Sequence, residues 1–174
     1  MLVLLLVKKL SIDVNLIKRS FYVSCNCILG NTKSMDEILK LSLIESHCLP
    51  ILTYATVAMK LSKAQVNELN ICWNSMYRQV FEFNKWESVR SFINGIGRLD
   101  FFHLRLYLRL KFYTSGLVTS NFTYNYMMKL HYLSDSFKML CSEVGLSTED
   151  YRRFIYLPIY RLKQTVISKF IMSL

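Results

Sequence analysis

The spacing of apolar and polar residues predicts helices along most of the chain. The clearest pattern lies in residues 62–80, where polar side chains separate apolar ones at steps of three and four. These apolar residues are Val66, Leu69, Trp73, Met76 and Val80. Such steps place the side chains on one face of an α-helix. Ser62 and Gln65 stand in the positions of a capping box, so we expect the helix to begin here.

Similar patterns, bounded by Gly, Pro and capping residues, predict the other elements. In the first half these are a helix over Val14–Ile28 stopped by Gly30-Asn31, a helix capped by Ser34 and Glu37 that is broken or kinked at Pro50, and a short segment near Glu87–Phe92 followed by a turn at Asn94–Gly97. In the second half they are a helix over Leu99–Tyr113, a helix-like stretch over Asn121–Val144 ended by Gly145, a new helix N-terminus at Ser147–Asp150, and a short helix after Pro158. The apolar run Met1–Val7 is interpreted as a buried strand. The predicted fold class is all-α: an irregular bundle of about six to eight helices with a short N-terminal strand.

Composition agrees with a folded domain and argues against a membrane span. The 174 residues are 52% hydrophobic, and Gly and Pro together number only seven. A membrane-spanning helix needs about 20 consecutive apolar residues, and the sequence contains no such run. We therefore expect one compact chain with no membrane partner.

The five cysteines show no paired spacing, and the apolar run Met1–Val7 has neither the basic n-region nor the cleavage site of a signal peptide. This combination favours free, buried thiols in a reducing compartment. The expected location is intracellular, either nuclear or cytoplasmic.

Net charge is +10, and the excess is greatest in the middle of the chain. Residues 59–120 hold nine Lys and Arg against four Asp and Glu. Such a charge attracts polyanions, which in a reducing compartment points to nucleic acid. A generic basic surface with no ligand is the alternative.

Catalytic and metal-binding patterns are missing. The adjacent acidic pairs, Asp36-Glu37 and Glu149-Asp150, fall in first turns of predicted helices, where carboxylates act as caps. His47, His103 and His131 are isolated in apolar surroundings, which favours structural roles. We expect no catalytic residue, metal site or cofactor.

A basic stripe is the strongest candidate for a binding site. Arg98, Arg105 and Arg109 step by seven and four, which would align three guanidiniums on one side of the predicted helix. Aromatic residues interleave with them and offer stacking surfaces: Phe101, Phe102, Tyr107 and Tyr113. In the alternative, the aromatics face the core and the arginines are simply solvated.

Residues 12–113 resemble the region after the catalytic palm in reverse transcriptases of LINE-type, jockey-like non-LTR retrotransposons. The matching stretches, in order, are Ile17–Asn26 (IKRSFYVSCN), Leu41–Tyr54 (LSLIESHCLPILTY) and Cys72–Phe81 (CWNSMYRQVF). The resemblance implies a thumb-like helical region over residues 1–115, with a C-terminal helical extension of unclear origin over 116–174. Leu2–Val7 would then be the remnant of the strand that closes the palm. The family's aspartate-bearing hairpin would lie upstream of Met1, so no polymerase activity is implied.

In that family the thumb holds the template–primer duplex against the palm. The resemblance therefore implies non-specific contact with RNA or DNA backbone, and the missing palm domain as a further partner. The candidate nucleic-acid-binding residues are Lys18, Arg19, Arg78, Arg98, Arg105 and Arg109. A first rival hypothesis is a protein–protein adaptor that docks through Trp73 and Met76 of the amphipathic helix. A second is an enzyme of an unrecognised kind, which would need histidines and a carboxylate to converge in a cleft.

Overall fold

The computed structural model describes residues 13–54, 56–57, 59, 61–118, 120–132, 135–145 and 159–172. Nine helices and no strand occur in these ranges: α1 Val14–Asn31, α2 Glu37–His47, α3 Leu49–Thr53, α4 Lys63–Val80, α5 Arg90–Gly95, α6 Phe101–Val118, α7 Phe122–Tyr132, α8 Asp135–Val144 and α9 Ile159–Met172. The all-α prediction is confirmed. The strand expected at Met1–Val7 and the helix start expected at Ser147–Asp150 lie outside the described residues.

Helix α4 occupies the centre of the bundle and packs against α1, α2 and α6. All five residues of its predicted apolar face are buried, as are Cys72 and Tyr77. Trp73 contacts the rings of Phe21 and Tyr77, and its Nε1–H donates to the Leu99 carbonyl at 3.2 Å. The predicted amphipathic helix is therefore confirmed, and its apolar face forms the core.

The starts of α4 and α2 show which capping predictions hold. At α4, the Ser62 hydroxyl accepts from the Gln65 N–H at 3.2 Å, and the Gln65 side chain accepts from the Ser62 N–H at 2.9 Å. This is the predicted capping box. At α2, the predicted pair of Ser34 and Glu37 is wrong, because Asp36 caps the helix by accepting from the Ile38 N–H at 2.8 Å. Asp36 directly precedes the first helical residue in an extended conformation, so its carboxylate reaches the free N–H groups.

The expected break at Pro50 is present, since α2 ends at His47 and α3 begins at Leu49. Pro50 lies in the first turn of α3, where its missing N–H costs no helical hydrogen bond. After α5, the chain reverses at Gly97, whose φ of +70° is accessible to glycine at little cost. This is the turn that Asn94–Gly97 predicted.

The second half of the bundle differs from expectation in its helix boundaries. Helix α6 begins two residues later than predicted and continues to Val118. The helical stretch expected over Asn121–Val144 contains two helices, α7 and α8. Gly145 follows α8 with a φ of +77°, which agrees with the predicted stop. Helix α9 packs on α6 and α8, and the proposed domain boundary at residue 115 stays a prediction.

All five cysteines are free thiols, and four of them are buried: Cys25, Cys48, Cys72 and Cys141. Cys27 is exposed, contrary to the expectation that all would be buried. Burial raises the pKa of Cys141 from 9.0 to about 11 and raises the pKa of Cys25 as well. A raised thiol pKa favours the neutral form, so these side chains act as small apolar residues of the core.

Candidate nucleic-acid interface

The structure does not arrange Arg98, Arg105 and Arg109 as a surface stripe. Arg105 is only 7% exposed, and its guanidinium donates to the Thr56 and Met59 carbonyls, each at 3.0 Å. Burial lowers the pKa of Arg105 to about 10, and the neighbouring charge of Arg109 adds to this effect. The expected exposure of Arg105 is therefore wrong, because its guanidinium binds backbone carbonyls of the segment between α3 and α4.

Arg98 and Arg109 are placed differently from one another. Arg98 precedes α6 instead of lying on it, and its Nε–H donates to both oxygens of Glu45, at 2.8 and 3.1 Å. The Tyr77 hydroxyl donates to the same carboxylate at 3.4 Å. Burial raises the pKa of Tyr77, and the Glu45 charge raises it further. Arg109 is half-buried, and its Nε has no hydrogen-bond partner among the described residues. The Arg98 charge is already paired with a carboxylate, so the two arginines do not form one cationic surface.

The aromatics of α6 follow the alternative in which they face the core. Phe101 and Tyr113 are buried, and Tyr107 is half-buried. Phe102 is 42% exposed and contacts the His103 ring instead of standing over an arginine. Helix α6 is thus mainly a packing element.

The other three candidates lie on α1 and α4. Lys18 forms a 2.7 Å ion pair with Glu68, which links the two helices and raises the pKa of the lysine. Arg19 is exposed on α1. Arg78 lies in the last turn of α4 and is half-buried, and it is the candidate that lines a groove.

That groove, the α1–α4 groove, lies between α1, α4 and the turn that follows α4, and it has a volume of about 540 Å³. Its lining comprises Tyr22, Ile71, Asn74, Ser75, Arg78, Gln79, Phe83, Lys85 and Trp86. The lining contains two cations, three aromatic rings and several neutral polar groups, and none of the residues is acidic. A volume of this size falls within the range of small-ligand sites, about 300–1,000 Å³.

The backbone after α4 brings Lys85 and Trp86 to the groove. Glu82 adopts a left-handed φ of +55°, and the Phe83 N–H donates to the Arg78 carbonyl at 3.0 Å, which closes the helix end in a Schellman-type turn. The rings of Phe81 and Phe83 then pack edge-to-face against Phe92 of α5. These contacts fix the direction in which the chain leaves α4.

A hydrogen-bonded turn, Asn84–Glu87, presents Trp86 to solvent. The Glu87 carboxylate accepts from the Asn84 backbone N–H at 2.8 Å and from its side-chain amide at 3.0 Å, and these bonds lower the pKa of Glu87. Arg78 Nε–H donates to the Glu87 carbonyl at 2.9 Å, which ties the turn to α4. The two terminal amino groups of Arg78 have no hydrogen-bond partner among the described residues, so they are available to a ligand.

Lys85 and Trp86 complete the charged and aromatic side of the groove. The Lys85 ammonium lies 5.2 Å from the centroid of the Trp86 ring, a cation–π contact. Trp86 is 88% exposed. On the opposite wall, burial raises the pKa of Tyr22 to about 12, so this phenol stays neutral at physiological pH. The groove is therefore a cationic and aromatic surface.

The sequence pattern indicates Arg78 as a nucleic-acid-binding residue, but it does not indicate Lys85 or Trp86. The available signal was the dipeptide Lys85-Trp86 inside a polar segment that follows a strongly predicted helix. An exposed turn is an unusual place for tryptophan, since large aromatics are mostly buried. Tyr22 lies on α1, 56 residues before Arg78 in the chain, so only the tertiary structure brings it to the groove.

His103 pairs with a neighbouring carboxylate at the start of α6. His103 Nδ1 lies 2.6 Å from Asp100 Oδ1, and both side chains are buried. Asp100 also accepts from the His103 N–H at 2.9 Å, as an N-cap of α6 does. His47 is exposed at the end of α2. Within the described ranges, no three His, Cys, Asp or Glu side chains form a possible metal site.

No protein-family model, curated protein or solved structure matches this chain. Among the helices described here, none is both long and apolar enough to cross a membrane.

Proposed function

We propose that this chain binds the backbone of RNA or DNA without sequence preference through the α1–α4 groove. In this proposal it is a non-catalytic, thumb-like piece of a LINE-type reverse transcriptase, as the resemblance implies. The observation that carries the binding proposal is the groove lining, in which Arg78, Lys85 and Trp86 meet with no carboxylate among them.

The charge of the groove supports a polyanionic ligand. Arg78 can donate to phosphate oxygens through its terminal amino groups, since only its Nε–H is used within the fold. Glu87 adjoins Trp86 in the chain, but its carboxylate is turned to the Asn84 amide groups. The charge of +10 on the whole chain would add long-range attraction to phosphate.

The candidate residues contribute unequally to this proposal. Arg78 lines the groove, and Lys18 and Arg19 lie on the same helix as Tyr22 of its wall. Arg98 is paired with Glu45, and Arg105 is buried. Lys18, like Arg98, is paired with a carboxylate. We therefore assign phosphate contact to Arg78 and Lys85 first, with Arg19 as a flanking charge.

The test is the salt dependence of binding to a template–primer duplex. Each phosphate contact on duplex DNA contributes about −0.9 to the slope of log K against log salt. Lys85→Gln should make the slope shallower by about 0.9, and Lys85→Arg should restore it. The matched control is Lys63→Gln, which removes the same charge at the first residue of α4, about 22 Å from Arg78 along the helix axis.

Lys63→Gln should leave the slope close to that of the unmodified chain. Absence of retention by the duplex at low salt would contradict nucleic-acid binding. Equal effects of the two lysine variants would contradict the groove as its site.

The alternative is a small helical protein–protein interaction module with no role in nucleic-acid binding. Trp73 and Met76, the docking residues that the sequence suggests for such a module, are buried in the core. An exposed apolar patch at the start of α2 favours a different surface, since Met35, Ile38 and Leu39 are each more than 40% exposed. If this alternative holds, the double variant Ile38→Ser, Leu39→Ser should lose binding to the partner protein. If the groove binds nucleic acid instead, the same variant should bind nucleic acid as tightly as the unmodified chain.

A further inference from the structure

Trp86 is an exposed aromatic residue, but the turn that carries it is held in place by hydrogen bonds. Single exposed apolar side chains are common and need no explanation. Trp86, however, lies in a turn that is closed by the Glu87 carboxylate and anchored to α4 by Arg78. A large rigid aromatic on an ordered backbone loses little conformational entropy when a planar ligand stacks on it.

Lys85 determines which face of the indole can receive such a ligand. Its ammonium lies over one face of the ring, 5.2 Å from the centroid, so a base would stack on the other face. The 88% exposure of Trp86 leaves the opposite face to solvent. The groove thus offers one aromatic face with a cation behind it and the Arg78 guanidinium beside it.

We propose that the α1–α4 groove takes an unpaired nucleotide of single-stranded RNA or DNA. The base stacks on the open face of Trp86, and Arg78 and Lys85 bind the phosphates on either side. This inference rests on the proposed function and narrows its ligand from nucleic acid in general to a single strand.

The geometry favours a single strand over a duplex for a physical reason. Every base has a π-face, but in a duplex these faces are covered by neighbouring pairs except at the ends. Aromatic platforms combined with a basic groove are the usual means of binding single strands without sequence preference. A duplex could contact the two cations of the groove, but it could not use Trp86 along its length.

Asn74 adds a polar group to the groove wall. Its Oδ1 is buried without a hydrogen-bond partner among the described residues. An unpaired buried acceptor is costly, so a small displacement that let it accept from the exocyclic amine of a base would be favourable. This group could bias the groove towards amine-bearing bases, although stacking on Trp86 does not require it.

The two tryptophans make the experiment specific. Trp86 is exposed and Trp73 is 1% exposed, so a stacked base should quench the emission of the first and not of the second. One probe is an oligothymidylate of about 12 nucleotides, within the site sizes of single-strand grooves. The other is a blunt hairpin duplex of similar charge, closed by a non-nucleotide linker so that it contains no unpaired base. We expect the oligothymidylate to bind more tightly and to quench the long-wavelength emission.

Variants of Trp86 supply the affinity test. Trp86→Ala should weaken binding of the oligothymidylate by about 5- to 140-fold, the range that corresponds to losing one stacked base. Trp86→Phe should keep most of the affinity while removing the quenching. Tyr54→Ala is the matched control, because Tyr54 is a 90% exposed aromatic outside the groove.

The outcomes separate this inference from the proposed function. If oligothymidylate and hairpin bind equally and Trp86→Ala has no effect, the single-strand site is wrong while backbone binding stands. If neither probe binds at low salt, both proposals fall. Equal losses in Trp86→Ala and Tyr54→Ala would also overturn the assignment of the base to Trp86.

Discussion

Replacing Trp73 tests the packing on which the whole bundle depends. The side chain is 1% exposed, contacts Phe21 and Tyr77, and donates its indole N–H to the Leu99 carbonyl. Burial of a tryptophan removes about 150–250 Å² from water, which at roughly 25 cal/mol per Å² amounts to about 4–6 kcal/mol. Trp73→Ala should therefore lower the free energy of unfolding by about 3–5 kcal/mol, a large share of the total for a domain.

Trp73→Phe separates the hydrogen bond from the apolar contact. Phenylalanine retains much of the buried area but leaves the Leu99 carbonyl unpaired, at a cost of about 1–3 kcal/mol. The assay is urea unfolding monitored by circular dichroism at the helical band. Fluorescence is unsuitable because the variant lacks Trp73, the buried tryptophan whose emission would report unfolding. Trp86→Phe is the matched control and should change stability by less than about 0.5 kcal/mol, as exposed positions generally do.

The result that would refute this reasoning is a Trp73→Phe variant as stable as the unmodified chain. A folded Trp73→Phe variant of full stability that had lost a binding partner would support the adaptor hypothesis instead. Loss of stability without such a partner supports the core assignment.

Three further predictions test local features of the structure. Ser62→Ala removes the capping box and should lower the unfolding free energy by about 1 kcal/mol, measured by urea denaturation; an unchanged midpoint would contradict the cap. Burial raises the pKa of the Cys141 thiol from 9.0 to about 11, so the unfolded chain loses this proton first and stability falls as pH rises between these values. Between pH 8 and pH 10 this thiol should lower the unfolding free energy by about 1.4 kcal/mol. The unfolding free energy of Cys141→Ala should fall less over the same range, and parallel pH profiles of the two proteins would contradict the raised pKa. Arg105→Gln should leave the salt slope of nucleic-acid binding unchanged, because the guanidinium is buried against two carbonyls, and a slope shallower by about 0.9 would show that it reaches phosphate after all.

Local patterns predicted α4 well because all of its determinants lie close together in the chain. The steps of three and four define its apolar face, and the Ser62–Gln65 pair defines its start. The prediction at α2 went wrong because Ser34 and Asp36 both can cap a helix. Asp36, which directly precedes the first turn, is the N-cap in the structure. Sequence spacing alone does not show which of the two residues caps the helix.

The positions of the arginines depended on distant partners. Arg105 is buried because the carbonyls it binds come from residues 49 and 46 positions earlier. Arg98 is held by Glu45, which is 53 residues away. No periodicity within α6 contains this information, so the spacing of the arginines could not distinguish a surface stripe from a structural role.

The groove was only partly predictable for the same reason. Arg78 was expected to bind nucleic acid, but the turn that places Trp86 beside it depends on the left-handed backbone of Glu82 and on the carboxylate of Glu87. Glutamate gives little signal for a left-handed conformation, which glycine or asparagine usually adopts. The assembled site therefore emerges from tertiary geometry.

The most direct test of the central claim is to locate bound nucleic acid on the protein by photocrosslinking. A single-stranded oligonucleotide carrying photoreactive pyrimidines is irradiated with the full chain, and the crosslinked peptides are identified by mass spectrometry. We expect crosslinks at Trp86 and Tyr22 that unlabelled single strand competes away and that are lost at high salt. Crosslinks confined to α8 and α9, with none in the α1–α4 groove, would contradict it.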